Sequence, residues 1–268
     1  MSAEAAPEPR FAFGRNWRRF LARIDEPQIR AAEESLQERL GLDRLEDLSF
    51  LDAGCGSGLF SLAARRLGAR VYSFDCDAAS VACAETLRAR YFAGDTDWTV
   101  ARGDVLDTAW LGTLDRFDIV YSWGVLHHTG ALWRAVESAA SSVAPGGRYF
   151  IALYNDQGWI SRYWHAVKRV YQGGAVARAA MVALHAPYLV GARAAVRALR
   201  GDVSLARGMD MVIDLHDWLG GLPFEVARPD AVVRRVSELG FDTARVVTCG
   251  RRHGCNEFVF RHPAGGES

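Results

Sequence analysis

The chain of 268 residues has little lysine and no net charge. Lys168 is the only lysine among 32 basic residues, and 32 acidic residues balance them, so the formal charge is zero. A neutral chain lacks the strong positive field that a non-specific nucleic-acid binder needs. We therefore expect no nucleic-acid partner.

Paired cysteines and long hydrophobic runs are also missing. The five cysteines form no C-x-x-C pair, which argues against a zinc or redox site, and we expect no metal. The N-terminus lacks the apolar core of a secretory signal, and the longest weakly polar stretch, 179–192, is too short to span a bilayer. We expect a cytoplasmic protein without stable membrane insertion. An amphipathic stretch at 178–197 leaves peripheral lipid contact open, although a helical cap is the favoured interpretation.

What is present is an alternation of strand and helix patterns. Short apolar runs at 48–53, 70–74, 98–101, 117–122 and 148–153 predict five strands, and helical patterns at 59–67, 78–91 and 131–143 follow three of them. This order predicts parallel βαβ units in an α/β, doubly wound sheet. A short loop at 250–254 predicts that the last two strands, at 241–248 and 256–262, form an antiparallel hairpin.

The pattern also suggests a domain organisation. We expect a disordered segment at 1–10, then N-terminal helices and the cofactor-binding half of the domain at 11–155. A mostly helical cap follows at 156–225, where the alternation stops. A last helix and the hairpin at 226–262 complete the sheet, and 263–268 is a tail.

The most informative motif is Asp52-Ala53-Gly54-Cys55-Gly56-Ser57-Gly58, which follows a strand and opens a helix. Glycines there let the backbone approach a ligand closely. The G-x-G-x-G spacing differs from the dinucleotide fingerprint, and the carboxylate of Asp52 would repel a pyrophosphate while favouring an amine or a sulfonium. Asp75 ends the next strand, where a carboxylate can accept ribose hydroxyls.

Together with the VYSFDCD, RGDVLD, FDIVYSWGVLHH and APGGRYF segments, this motif resembles the S-adenosylmethionine-dependent methyltransferases with a Rossmann-like fold, class I, of the small-molecule type. The resemblance implies a seven-stranded sheet of order 3-2-1-4-5-7-6 with strand 7 antiparallel, and S-adenosyl-L-methionine as cofactor. It also implies that Asp52, Gly54 and Gly56, in the loop closed by Gly58, hold the methionine end. Asp75 would hold the ribose, and the remaining contacts would come from Cys76, Asp104, Val105, Ser122 and Trp123.

Two histidines, His127 and His128, follow the fourth strand, where the resemblance implies that the methyl group points. An imidazole has a suitable pKa for a general base, so either could take a proton from an acceptor hydroxyl, with a slight preference for His128. Tyr154 and Asn155 should share this rim. The alternative is that the histidines only cap or pack.

The acceptor is expected to be a small molecule that is methylated on oxygen. Sulfur, nitrogen or an activated carbon stays possible, as does a non-catalytic partner subunit that binds the cofactor. A short-chain dehydrogenase is disfavoured because Trp164, not a tyrosine, stands four residues before the only lysine. The Asn-Pro-Pro-aromatic tetrad typical of base methylation is absent after strand four, where the chain reads Ser122-Trp123-Gly124-Val125. The oligomeric state is open.

Overall fold

We describe the fold from a computed structural model, which covers residue 21 and residues 24–192, 211–250 and 254–265. The helices, in chain order, are α1 (Glu26–Leu40), α2 (Leu59–Arg66), α3 (Ala78–Tyr91), α4 (Thr108–Leu111), α5 (Leu132–Ala140), α6 (Trp159–Tyr171), α7 (Ala175–Ala186), α8 (Met211–Gly220) and α9 (Pro229–Glu238). The strands are β1 (Ser49–Ala53), β2 (Arg70–Asp75), β3 (Trp98–Arg102), β4 (Phe117–Trp123), β5 (Val143–Tyr154), β6 (Asp242–Val247) and β7 (Cys255–Arg261). Within these ranges, no helix is long and apolar enough to cross a membrane.

The strands form one seven-stranded sheet of order β3-β2-β1-β4-β5-β7-β6. Strands β1 to β5 are parallel, and β7 runs antiparallel to both of its neighbours, β5 and β6. The expected doubly wound sheet and its order are confirmed. In this topology the carboxyl ends of β1, β2, β4 and β5 meet at one edge, where ligands of open α/β sheets bind.

Both faces of the sheet are buried. Successive residues of a strand point to opposite faces, so Phe50 joins one hydrophobic cluster and Leu51 the other. The first cluster includes residues of α1, α2 and α3, and the second includes residues of α5 and α9. The central strands therefore lack the polar alternation of a half-exposed sheet, as parallel sheets commonly do.

The start of α1 is determined by local chemistry. The Asp25 carboxylate accepts the backbone N–H of Gln28, and the Gln28 side chain accepts the backbone N–H of Asp25, which forms a capping box. Pro27 lies in the first turn, where its missing N–H costs nothing. Helix α1 therefore begins at Glu26, directly before this proline.

The predicted boundary between the fifth helix and the fifth strand is wrong. The helix was expected to run to Val143, but α5 ends at Ala140 and Val143 already pairs with Phe117 of β4. The next pair is Ile119 with Arg148, so residues 144–147 bulge out of β5 instead of preceding it as a turn. A side chain at Gly147 would lie 2.9 Å from the carbonyl oxygen of Asp118, so the bulge needs glycine there.

The described part of 156–225 consists of helices around a small core of their own. Trp164 and Tyr171 of α6 are buried in this core with Leu189, Leu215 and Leu219. Trp159, Tyr163 and Tyr188 of these helices are largely exposed. Residues 193–210 and the N-terminal aromatics Phe11, Phe13 and Trp17 lie outside the described residues.

Candidate active site

The glycine loop lies at the carboxyl end of β1 and is tied to the end of β2. The backbone N–H groups of Gly54 and Cys55 both donate to the Phe74 carbonyl, at 2.9 and 3.0 Å. Gly54 has a φ of +86°, which only glycine adopts at low cost. A Cβ there would also lie 2.4 Å from Cγ1 of Val125, in the loop after β4. Gly54 is therefore required both by its backbone angle and by the close approach of the β4 loop.

Asp75 is the last residue of β2, and its carboxylate is hydrogen-bonded to the glycine loop. Its Oδ2 accepts the backbone N–H of Gly56 at 3.0 Å, and its Oδ1 accepts that of Asp77 at 2.8 Å. The Cys76 backbone amide is a third donor to this carboxylate. A carboxylate has about four lone-pair sites, so capacity for a further donor remains. Burial raises the pKa of Asp75, and its hydrogen bonds to the Asp77 and Gly56 amides oppose that shift. Cys76 is exposed beside it.

Asp52 lies deeper, on β1, with 3% of its surface exposed. Its Oδ2 accepts the hydroxyl of Ser61, on α2, at 2.5 Å. Burial raises the pKa of Asp52 to about 7, and the negative charge of Asp75 acts in the same direction. Within the described residues neither carboxylate forms an ion pair, so this edge of the sheet favours a ligand that carries positive charge and hydroxyl donors.

Asp104 and Val105 follow β3. Oδ1 of Asp104 accepts the backbone N–H of Leu106 at 2.9 Å, so the carboxylate stabilises its own loop. Val105 is buried against the sheet. Both residues lie past the carboxyl end of β3, which borders β2 in the sheet.

Ser122 and Trp123, at the end of β4, differ in how they could serve a ligand. Ser122 is fully buried, and its hydroxyl donates to the Ala53 carbonyl at 2.8 Å, which fastens β4 to β1. The Trp123 indole N–H donates to Oε1 of Glu257 at 3.3 Å, and Oε2 of Glu257 lies 2.6 Å from Nε of Arg39. Trp123 thus connects the ligand edge to α1 through β7.

The two histidines form a short 3-10 turn, Leu126–His128, directly after this edge. His127 is fully buried, and its Nδ1 accepts the backbone N–H of Tyr154 at 3.3 Å. A neutral imidazole that accepts at Nδ1 carries its proton on Nε2, and that atom is buried and has no hydrogen-bond partner among the described residues. The Nδ1 of His128 lies 2.6 Å from the Pro223 carbonyl, which can only accept, so His128 is protonated on Nδ1 and has its lone pair on Nε2.

Both imidazoles are held neutral. Burial lowers the pKa of His128 to about 3, aided by the positive charge of Lys168, while the hydrogen bond to Pro223 opposes the shift. Burial, His128 and Lys168 lower the pKa of His127 well below its usual value. At neutral pH both rings are therefore uncharged.

The cap packs on the histidine pair through aromatic rings. The ring of Tyr154 lies 3.8 Å from that of His127 and also contacts Trp218 and Phe224 of the cap. Lys168 is fully buried, its Nζ donates to the Trp218 carbonyl, and it lies 4.7 Å from the Phe224 ring centroid. A charged ammonium is tolerated there through cation–π attraction and this hydrogen bond.

The segment after α8 fastens the histidine turn from the other side. The backbone N–H of Glu225 donates to the His127 carbonyl at 3.0 Å. The Glu225 carboxylate accepts the backbone N–H of Leu132, the first residue of α5. The turn is therefore held between the sheet and the cap.

The structure brings Asp52, Asp75, the glycine loop and the histidine turn to one edge of the sheet, with Tyr154 beside the histidines. Sequence reasoning missed Ser61, Pro223 and Glu225, which have no motif of their own. Lys168 was visible as the only lysine, but composition does not place it beside the histidines. Asn155 turns away from the pair and bonds to Asn256 and Gly250 of the hairpin. Among the described residues, no three histidine, cysteine or acidic side chains are close enough to hold a metal.

Comparison with known proteins identifies the family of this chain. A family model described as a methyltransferase domain matches residues 15–192. The ubiquinone biosynthesis O-methyltransferase of Parvibaculum lavamentivorans is 30% identical over 140 residues, which cover 50% of this chain and 53% of that protein. The protein of the same name from Methylobacterium nodulans is 32% identical over 143 residues, covering 51% and 55%. The chain thus spans about half the length of the curated relatives that it matches.

Solved structures share the fold at low sequence identity. The magnesium protoporphyrin IX methyltransferase of Synechocystis, solved with bound S-adenosylhomocysteine, gives a TM-score of 0.56 at 15% identity, covering 92% of this chain and 93% of that one. The N-methyltransferase NodS of Bradyrhizobium japonicum, with the same ligand, gives 0.53 at 16%, covering 94% and 100%. The family model matches most of this chain, and the sheet has the strand order that the resemblance implied. The chain therefore belongs to the class I S-adenosylmethionine-dependent methyltransferases.

Proposed function

We propose that this protein transfers the methyl group of S-adenosylmethionine to a hydroxyl oxygen of a small molecule, with His128 as the general base. The observation that carries the proposal is the tautomer of His128 at the carboxyl end of β4. The Pro223 carbonyl holds its Nδ1–H and leaves the lone pair on Nε2. The relatives named as O-methyltransferases support the choice of oxygen.

The cofactor residues follow from the charge and hydrogen-bonding capacity of this edge. When bound, S-adenosylmethionine supplies an electrophilic methyl group on a positively charged sulfur. Asp52 would offset the charge of its amino group, together with the backbone of Gly54 and Gly56, where Gly58 closes the loop. The spare lone pairs of Asp75 would accept the ribose hydroxyls. Cys76, Asp104 and Val105 would border the adenine, and Trp123 would lie on the sulfur side.

A weak base suffices for this reaction. As the carbon–oxygen bond forms, the hydroxyl proton becomes strongly acidic, because the oxygen donates its electrons to the incoming methyl group. Nε2 of His128 would accept this proton, while the bound cofactor would supply the methyl group from its sulfur to the oxygen and remain as S-adenosylhomocysteine. A pKa of about 3 keeps the imidazole unprotonated throughout the neutral range, but it lies well below the near-neutral value that suits a general base best, so the acceptor proton has to become acidic before it transfers.

His127 has a different role in this proposal. Its Nδ1 is used by the Tyr154 amide, so its Nε2 carries a proton and cannot accept another. We assign it to positioning: it orients Tyr154 and supports His128, whose ring lies 4.5 Å away in an edge-to-face arrangement. Turnover should therefore depend more steeply on His128 than on His127.

The experiment is a transfer assay with methyl-labelled S-adenosylmethionine and three acceptors that share one ring: a phenol, a thiophenol and an aniline. We expect label in the phenol ether and its loss in His128→Asn. If label appears only on the thiol or the amine, the acceptor atom is wrong. If the protein binds S-adenosylhomocysteine but labels none of the three, the non-catalytic partner subunit becomes the better account.

A further inference from the structure

A chain of buried hydrogen bonds leads to Asp52 along one face of the sheet, from the edge strand β3. The Trp98 indole N–H donates to the Ser73 hydroxyl at 2.9 Å, Ser73 donates to Ser61 at 2.8 Å, and Ser61 donates to Oδ2 of Asp52 at 2.5 Å. The two serines and Trp98 are fully buried, and Asp52 is 3% exposed. The chain crosses from β3 through β2 and α2 to β1.

The direction of this chain is determined by its two ends. An indole N–H can only donate, and an ionised carboxylate oxygen can only accept. Each serine hydroxyl between them must therefore accept on one side and donate on the other, so every proton points toward Asp52. Hydrogen bonds in such a series polarise one another and strengthen the last one, here the bond to the carboxylate.

The position of the chain is unusual for polar groups. Ser73 pairs directly with Asp52 in the β1–β2 register, and Val71, two residues before it, pairs with Trp98. The surrounding cluster is otherwise apolar, with Phe50, Leu62 and Leu87 among its members. Apolar residues of the same shape would avoid the cost of burying two hydroxyls, so the hydroxyls need an explanation beyond stability.

We propose that Trp98, Ser73 and Ser61 are positioning residues for the ligand's cationic amino group: they favour the anionic form of the Asp52 carboxylate and occupy Oδ2, which leaves Oδ1 for the ligand. The inference rests on the proposed S-adenosylmethionine site. It adds three residues on β3, β2 and α2 that touch no ligand and act only through Asp52.

The groups that face Asp52 set the electrostatic background. Asp75, at the end of β2, is negative and opposes the charge of Asp52, and the Cys55 thiol of the glycine loop has a pKa held well above its usual value by burial, so it stays neutral. The Ser61 backbone amide, in the first turn of α2, favours the charged carboxylate. Without the serine hydroxyls, burial and Asp75 would leave the carboxylate protonated over a wider pH range.

The test compares two ligands that differ only at the amino-acid end. S-adenosylhomocysteine carries the amino group, and 5′-methylthioadenosine keeps the adenine, ribose and sulfur without it. Titration calorimetry on Ser73→Ala and Ser61→Ala should show S-adenosylhomocysteine affinity reduced roughly tenfold or more at pH 7, as loss of hydrogen bonds that support a charged group implies. The loss should shrink toward pH 9, and methylthioadenosine affinity should stay within about twofold of wild type.

Ser73→Thr keeps the hydroxyl and should bind S-adenosylhomocysteine as wild type does. Trp98→Phe removes only the donor at the far end of the chain, so its loss of S-adenosylhomocysteine affinity should be smaller, with the same pH dependence. These two variants keep the test decisive if an alanine variant does not fold. Equal losses for both ligands, or a loss independent of pH, would mean that the chain is only structural and would overturn the inference, as would unchanged binding of both. Failure of the wild-type protein to bind either ligand would instead refute the proposed function.

Discussion

Replacing Gly54 with alanine tests whether the glycine loop and the histidine turn are packed against each other. Alanine at a φ of +86° is strained by about 1–2 kcal/mol. Its Cβ would also lie 2.4 and 2.6 Å from the two Cγ atoms of Val125 and 2.9 Å from its Cβ. Rotation of the valine side chain cannot relieve the last contact, so the backbone of the β4 loop has to move.

The magnitude follows from these two terms. Forcing a methyl group into a packed site costs about 1–3 kcal/mol, and the stiffer unfolded chain returns about 0.4–1 kcal/mol. We expect Gly54→Ala to lower the free energy of unfolding by about 1–5 kcal/mol, with a central value of about 3 kcal/mol. Gly94→Ala is the matched control, because Gly94 has a φ of +76° and nothing within 4 Å of the added Cβ. It should cost about 1 kcal/mol or less, so the difference measures the contact with Val125.

Urea unfolding of both variants, with Val125→Ala in a double-mutant cycle, measures this contact directly. Val125→Ala removes both Cγ atoms and should recover part of the loss in the Gly54→Ala background. Because Val125 accepts the His128 backbone N–H at 2.8 Å, Gly54→Ala should also slow methyl transfer more than it weakens cofactor binding. Equal costs for Gly54→Ala and Gly94→Ala, or strict additivity with Val125→Ala, would refute the reasoning.

Three further predictions concern titratable groups. His128→Asn should lower kcat about 10²- to 10⁴-fold in initial-rate assays with little change in S-adenosylhomocysteine affinity. His262→Asn, at a half-buried histidine just after β7, should change neither. A normal rate in His128→Asn would remove it as the base. Folding raises the pKa of Asp52 to about 7. Between about pH 4 and 7 the native protein therefore keeps a proton on Asp52 that the unfolded protein has lost. The contribution of Asp52 to the free energy of unfolding should fall as pH rises through that window. This contribution amounts to about 4 kcal/mol at most. Urea unfolding at several pH values gives the free energy of unfolding of wild type and of Asp52→Asn, and the difference between the two should fall as pH rises. A difference that does not change with pH would contradict the prediction. Lys168→Met should raise the pKa of His128 in an NMR titration, whereas Lys168→Arg should not, and an unchanged pKa in Lys168→Met would show that the cation does not act on the pair.

Much of the fold was predictable because its signals are local. Alternating strand and helix patterns predicted the parallel sheet, and the resemblance carried by the glycine loop and the segments after it implied the strand order. The bulge at 144–147 was missed because Pro145-Gly146-Gly147 is also a normal turn sequence. Only the pairing of Val143 with Phe117, which the helical pattern concealed, shows that β5 begins before it.

The site was predictable by position but not by chemistry. The spacing placed His127 and His128 after the fourth strand, yet their tautomers depend on Tyr154 and on Pro223, which lies 95 residues away from His128 in the chain. No sequence motif marks Ser61 or Ser73, since an isolated serine in a helix or strand is common. Their role follows only from the fold that aligns them between Trp98 and Asp52.

We propose above all that the carboxyl edge of β1 and β2 holds S-adenosylmethionine. Calorimetric titration of S-adenosylhomocysteine into two aspartate variants tests this most directly. Asp75→Asn changes the carboxylate at that edge. Asp118→Asn changes a carboxylate that likewise accepts a backbone N–H, from Ser49 at 2.8 Å, but at the opposite ends of β1 and β4. We predict at least a tenfold loss of affinity for Asp75→Asn, and affinity within about twofold of wild type for Asp118→Asn despite lower stability. Equal affinities in the two variants would contradict the claim.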